Sequence, residues 1–185
     1  MNKYLQNERL EIFMIDITNI ELETDRLYMR HFKTEDLVEY SKIMGQDEVG
    51  KWLPRGRGYT KEEVKKFLES ISKHWQEKGY GVWAVVEKES GKIIGHCGLN
   101  YVKQNNEIEV LYGFGKDYWG LGYATEAAKA ALAFGFEKIG LNRIVAFAKT
   151  DNIASKKVIE KIGLKYIKDI EIFGMICAYY ESYKS

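Results

Sequence analysis

The sequence predicts an α+β fold, a mixed and mostly antiparallel central sheet flanked by helices. Three observations carry the expectation. Two amphipathic helical stretches come early, with apolar residues at helical spacing. Three aromatic and β-branched segments then fill Tyr80 to Phe114, joined by turns short enough for antiparallel neighbours. After them the order is helix, strand, helix and two strands.

Each element has a local reason. Arg26 to Phe32 alternates polar and apolar residues, as a half-buried strand does. Thr34 is placed to cap a helix whose first turn carries Glu35 and Asp36 and whose apolar stripe is Leu37, Tyr40, Ile43 and Met44. Residues 52–58 hold the only proline and read as loop. Thr60 and Glu63 form a capping box, because each side chain satisfies a free backbone N–H of the other. Val64, Phe67, Leu68, Ile71 and Trp75 follow as that helix's buried stripe. Strands are expected over Tyr80–Glu87, Lys92–Tyr101 and Glu107–Phe114, with turns at 89–91 and 102–106. Lys116–Tyr123 is a glycine-punctuated loop, and Ala124–Lys138 is an alanine-rich helix ended by Gly140. A strand over Asn142–Ala148, a helix over Asn152–Lys161 and strands over Gly163–Phe173 and Met175–Tyr183 complete the chain.

A chain of 185 residues suffices for one domain that buries about 70% of its unfolded surface. We expect a single domain over 22–185 after an N-terminal arm over 1–21. In that arm Tyr4–Ile15 is either a short helix or a loosely held segment, and Met14 is an alternative start. Net charge is +1, from 28 basic and 27 acidic residues, so neither nucleic acid nor an anionic membrane is an expected partner. Cys97 and Cys177 sit in apolar runs and read as buried thiols, which suits a reducing compartment. His31, His74 and His96 lack ligand spacing, so no metal is expected. With no long apolar run and no secretory leader, the expected location is the cytoplasm.

Chemistry concentrates at Gly120-Leu121-Gly122-Tyr123-Ala124, between a strand and a helix. Without side chains at 120 and 122 the backbone can curl and aim N–H groups at an anion, and the helix that follows adds its own free N–H groups and dipole. A tight turn into an ordinary helix is the competing explanation. A dinucleotide fingerprint fails because Thr125 stands where a small third residue belongs and no acid follows at the expected distance. A P-loop fails because Gly115-Lys116 is followed by Asp117.

The wider context favours the anion site. Glu107 to Ala127 resembles the signature segment of the GNAT superfamily of N-acetyltransferases, and Asp151–Ser155 with Glu160–Leu164 resembles the segment that follows it. Thr24 to Arg30, then Asp36 and a helix, is similar to the branch that includes ribosomal-protein alanine acetyltransferases. The resemblance runs from about Leu22 to the C-terminus. It implies a GNAT-like acyl-CoA N-acyltransferase fold, acetyl-CoA as cosubstrate, and direct transfer to a primary amine in a ternary complex. The acceptor is then a protein N-terminus or a small-molecule amine, and the protein a monomer or homodimer. A non-catalytic acyl-CoA-sensing module of the same fold is the alternative.

Residue by residue, the resemblance implies that the pantetheine arm pairs with Tyr112, Gly113 and Phe114 on a splayed strand. The pyrophosphate would be held by N–H groups of Trp119, Gly120, Leu121, Gly122, Tyr123 and Ala124. Asn152 and Ser155 match an Asn-x-x-Ser beside the pantetheine arm and the thioester sulfur. Glu109 is the expected base, directly or through water, with Glu107 on the same face as runner-up; the competing role for Glu109 is a solvated strand-face carboxylate. Ser155 either donates to the leaving thiolate or orders the pantetheine. Two departures stand out: Asp117 replaces the usual Gln or Arg, and Ile159 replaces the tyrosine that many relatives use as general acid. Tyr59, Trp75, Tyr80 and Trp83 either line an acceptor pocket or pack the core, and Arg55 and Arg57 either bind an acidic substrate or are solvated.

Overall fold

A computed structural model describes residues 20–185. In chain order come β1 (Leu22–Glu23), β2 (Leu27–Arg30), α1 (Asp36–Met44), α2 (Asp47–Gly50), α3 (Lys61–Lys78), β3 (Val82–Glu87), β4 (Ile93–Val102) and β5 (Glu107–Phe114). Then follow α4 (Tyr123–Ala133), β6 (Arg143–Lys149), α5 (Ile153–Lys161), β7 (Lys165–Ile172) and β8 (Met175–Tyr183). The eight strands make one sheet in the order β1-β2-β3-β4-β5-β6-β8-β7. The expected α+β fold with a mixed, mostly antiparallel sheet is what forms.

Every neighbouring pair is antiparallel except β5 and β6. That parallel pair registers at one position, Glu109 opposite Val145. Beyond it the strands part. From Val110 onward β5 continues to pair with β4, and β6 continues to pair with β8.

The two faces carry different helices. His96 lies opposite Gly113 and touches Tyr40 of α1 and Phe67 of α3, so the face of Glu109, Leu111 and Gly113 is covered by α1 and α3. Leu99 lies opposite Val110 and packs near Gly135 at the end of α4, so Val110, Tyr112 and Phe114 face α4 and α5. Trp75, Tyr80 and Trp83 are core residues. Across the mouth of the parting, α2 and its flanks form a bar. The Lys116 N–H donates to Gln46 Oε1 at 2.9 Å, Lys116 Nζ meets Glu48 at 2.6 Å, and Lys149 Nζ donates to the Lys51 carbonyl at 2.6 Å.

Several boundaries differ from expectation. Thr34 does not cap α1; the helix begins at Asp36, whose carboxylate takes the Lys33 N–H and a two-pronged contact from Arg30 at 2.7 and 2.8 Å. Bidentate binding of that carboxylate fixes the start more firmly than a hydroxyl would. The Thr60–Glu63 capping box forms as expected, and Glu63 also holds Arg55 and Arg57 at 3.1 and 2.9 Å. The alanine-rich helix begins at Tyr123, and its last stretch, Phe134–Lys138, widens into a π-turn before Gly140. Tyr4–Ile15 and Met14 lie outside the described residues.

Gly113 sets how closely β4 and β5 approach. A Cβ there would lie 2.4 Å from His96 Cε1. His96 cannot retreat easily, since it is buried and its Nδ1 shares a 2.8 Å hydrogen bond with the Tyr40 hydroxyl. Burial pulls its pKa down to about 4, so the ring is neutral. Gly113→Ala is expected to cost ~1–3 kcal/mol through overpacking, lowering the thermal midpoint by ~2–4 °C per kcal/mol. A midpoint equal to wild type would show that the ring moves aside freely.

Candidate active site

Glu109 occupies the crotch where β5 leaves β6. Its side chain is 7% exposed, which excludes a solvated strand-face carboxylate. Asn100, directly opposite on β4, donates Nδ2 to Glu109 Oε1 at 3.0 Å. Burial dominates and pushes the carboxyl up to about 7, with the Asn100 bond opposing it. A group that ionises near neutrality can accept a proton there.

Glu107, on the same face, is engaged differently. Its Oε1 takes Arg143 Nη2 and the Tyr179 hydroxyl, the latter at 2.7 Å, while Oε2 takes Asn105 Nδ2 at 2.5 Å. Both oxygens are satisfied, so Glu109 is the better proton acceptor.

Tyr112 points to the opposite face and spans the parting toward α5. Its hydroxyl lies 2.9 Å from Ser155 Oγ and 3.0 Å from the Ser155 carbonyl. Burial raises the Tyr112 pKa strongly, so the phenol stays protonated and acts as a donor. Asn152 caps α5, its Oδ1 accepting the Ser155 N–H at 3.1 Å, and so fixes where the serine stands. Ile159 is buried in the core.

At the loop, Gly120 and Gly122 have φ of 76° and 85°, a left-handed backbone that side chains resist. A Cβ at Gly120 would meet nothing within 4 Å, so that glycine faces open space. Trp119 is anchored instead of free: its Nε1 donates to the Phe114 carbonyl at 2.8 Å. Leu121 is exposed, and Tyr123 and Ala124 open α4. The result is a short glycine loop leading into a helix N-terminus, at the wide end of the parting; the Trp119 N–H, expected among the anion's donors, is already taken by the Lys116 carbonyl at 3.1 Å, because residues 116–118 close as a tight turn. Those residues fit a diphosphate group followed by a linear, amide-bearing chain along β5.

The structure therefore assembles two groups from the expected residues. Tyr112, Asn152 and Ser155 are joined by hydrogen bonds on one face, whereas Glu109 lies on the other and touches none of them. Sequence reasoning missed Asn100 as the partner of Glu109. Its signal was present in the hairpin, since a turn over 102–106 places residues 100 and 109 opposite each other. The Tyr112–Ser155 contact had no such signal, because the two residues are 43 positions apart.

Residues 26–165 match the family described as acetyltransferase (GNAT) domain. YkkB of Bacillus subtilis is 38% identical over 165 residues, covering 87% of this chain and 94% of that protein. YnaD of the same organism, named an uncharacterized N-acetyltransferase, is 30% identical and covers 79% of this chain and 83% of its own. The ribosomal-protein-S5-alanine acetyltransferase of Vibrio fischeri has the same fold, with a TM-score of 0.72 at 19% identity over 90% of this chain and 97% of that one. The chain thus belongs to the GNAT family of N-acetyltransferases.

Proposed function

We propose that this chain moves the acetyl group of acetyl-CoA directly to a primary amine, a protein N-terminus or a small-molecule amine, in a ternary complex. The observation that carries this is the buried Glu109, poised at about 7, where β5 and β6 part. Residues 22–185 act as one acetyltransferase domain, alone or as a homodimer, in a reducing, cytoplasmic setting that suits two buried free thiols.

Tyr112, Gly113 and Phe114 present the edge along which the pantetheine arm lies. The loop from Gly120 to Ala124 holds the pyrophosphate, and a backbone N–H near Phe114 polarises the thioester carbonyl. The neutral amine attacks the carbonyl carbon and the C–S bond breaks. Glu109 takes the proton that the amine loses, directly or through water. Ser155, held by Asn152 and Tyr112, donates a hydrogen bond to the departing sulfur. Base and donor stand on opposite faces of the sheet, so the amine and the thiolate are served from opposite sides of the gap. An α-amine of pKa ~7.7–8 is already ~10–20% neutral at pH 7, so a carboxylate base of modest strength suffices.

Thermal unfolding with acetyl-CoA and, separately, NADH tests the donor. At ~100 times its dissociation constant a ligand stabilises by ~2.7 kcal/mol, several degrees for this size. We expect that shift from acetyl-CoA alone; none would defeat the proposal. A panel of amines then tests transfer, where Glu109→Gln is expected to lower kcat by at least ~10² at pH 7 while acetyl-CoA still binds. Equal rates would remove Glu109 from the mechanism, and no thiol release with any amine would indicate a sensing module.

Glu109 also links stability to pH. Its folded value of about 7 lies above the ordinary 4.5, so the folded state holds this proton longer than the unfolded state. The neutral form's stability is present below pH 4.5 and is lost as pH rises to about 7. The loss amounts to ~3 kcal/mol. Glu109→Gln removes it, so the variant should melt several degrees above wild type at pH 8 and close to wild type at pH 5. Equal differences at both pH values would mean that Glu109 titrates normally.

A further inference from the structure

The turn between β1 and β2 reaches across to the loop before α4, through Arg26. Its Nη1 donates to the Leu121 carbonyl at 2.9 Å, its Nε donates to Glu126 Oε2 at 2.7 Å, and Nη2 lies 2.7 Å from that oxygen. The Arg26 backbone N–H donates to Glu126 Oε1 at 2.9 Å, and the Thr24 hydroxyl reaches the same oxygen at 2.6 Å. The guanidinium also sits 4.4 Å above the Tyr123 ring, and Nη2 would be 3.3 Å from a Cβ at Gly122. One side chain thus contacts or borders residues 121, 122 and 123 and neutralises an acid in the first turn of α4.

Two physical consequences follow. In a trans peptide the C=O and the next N–H point in opposite directions. Drawing the Leu121 carbonyl toward Arg26 therefore turns the Gly122 N–H away from it, which fixes the direction of a free donor at the head of α4. Second, Glu126 places a carboxylate one turn inside the helix, where it would repel an anion at the N-terminus. Arg26 and Thr24 occupy both its oxygens and cancel that charge.

We propose that Arg26 is a positioning residue for the diphosphate of the acyl donor, holding the 121–122 peptide in its binding orientation and screening Glu126. The inference rests on the acetyl-CoA reading of this loop. It explains why the opening Thr24-Asp-Arg26 stands 95 residues away from the loop in sequence and touches it in space.

Calorimetric titration of wild type, Arg26→Lys and Arg26→Gln with acetyl-CoA and with S-acetylpantetheine, which lacks the diphosphate, tests it. Lysine keeps the charge and loses the fork. Both variants are expected to bind acetyl-CoA about tenfold more weakly and S-acetylpantetheine as wild type does. Undiminished acetyl-CoA affinity in Arg26→Lys would overturn the proposal, and so would equal losses for both ligands, since a damaged cleft does not distinguish them. Failure of the acetyl-CoA reading itself would appear separately, as no acetyl-CoA binding by wild type.

Discussion

The parting of β5 from β6 after the Glu109–Val145 pair is the constraint on which the rest of the site depends. A sheet that opens in its middle exposes backbone N–H and C=O groups, and such groups demand partners. The molecule tolerates the opening because other contacts tie the two halves together. On one face Tyr112 crosses from β5 to Ser155 at the head of α5. On the other, the bar around α2 is fastened to Lys116 after β5 and to Lys149 at the end of β6. Between these ties the β5 edge beyond Glu109 has no β6 partner.

The same geometry sorts the charges. Glu109 is buried at the narrow end with one amide donor from Asn100, and the cost of desolvating its charge holds it near neutrality. Glu107, two residues earlier on the same strand face, is tied by Arg143, Tyr179 and Asn105, so the two carboxylates sit in different surroundings despite identical chemistry. At the wide end Gly120 and Gly122 take left-handed backbone just before α4 begins.

Much of this was legible in the sequence, because it is governed by local rules. The capping box at Thr60, the hairpin turns, the bounds of β5 and β8 and the left-handed glycines at 120 and 122 all follow from neighbours within a few residues. What escaped was non-local. Glu109 alternates with apolar residues as a solvated strand glutamate would, yet the folded sheet leaves it 7% exposed. Thr34 looks like a cap until Arg30 seizes Asp36. The α2 turn has four residues and too short a pattern to read, and Phe134–Lys138 reads as ordinary helix although it closes as a π-turn.

Hydrogen exchange of the β5 amides, with and without acetyl-CoA, reads the parted edge itself. If the parted edge is the donor's seat, the amides of Leu111–Phe114 that turn away from β4 exchange quickly in the free protein and slow markedly when acetyl-CoA is added, while amides paired to β4 change little. Unchanged exchange at that edge with acetyl-CoA bound would contradict the account, because the cosubstrate would then lie elsewhere on the molecule.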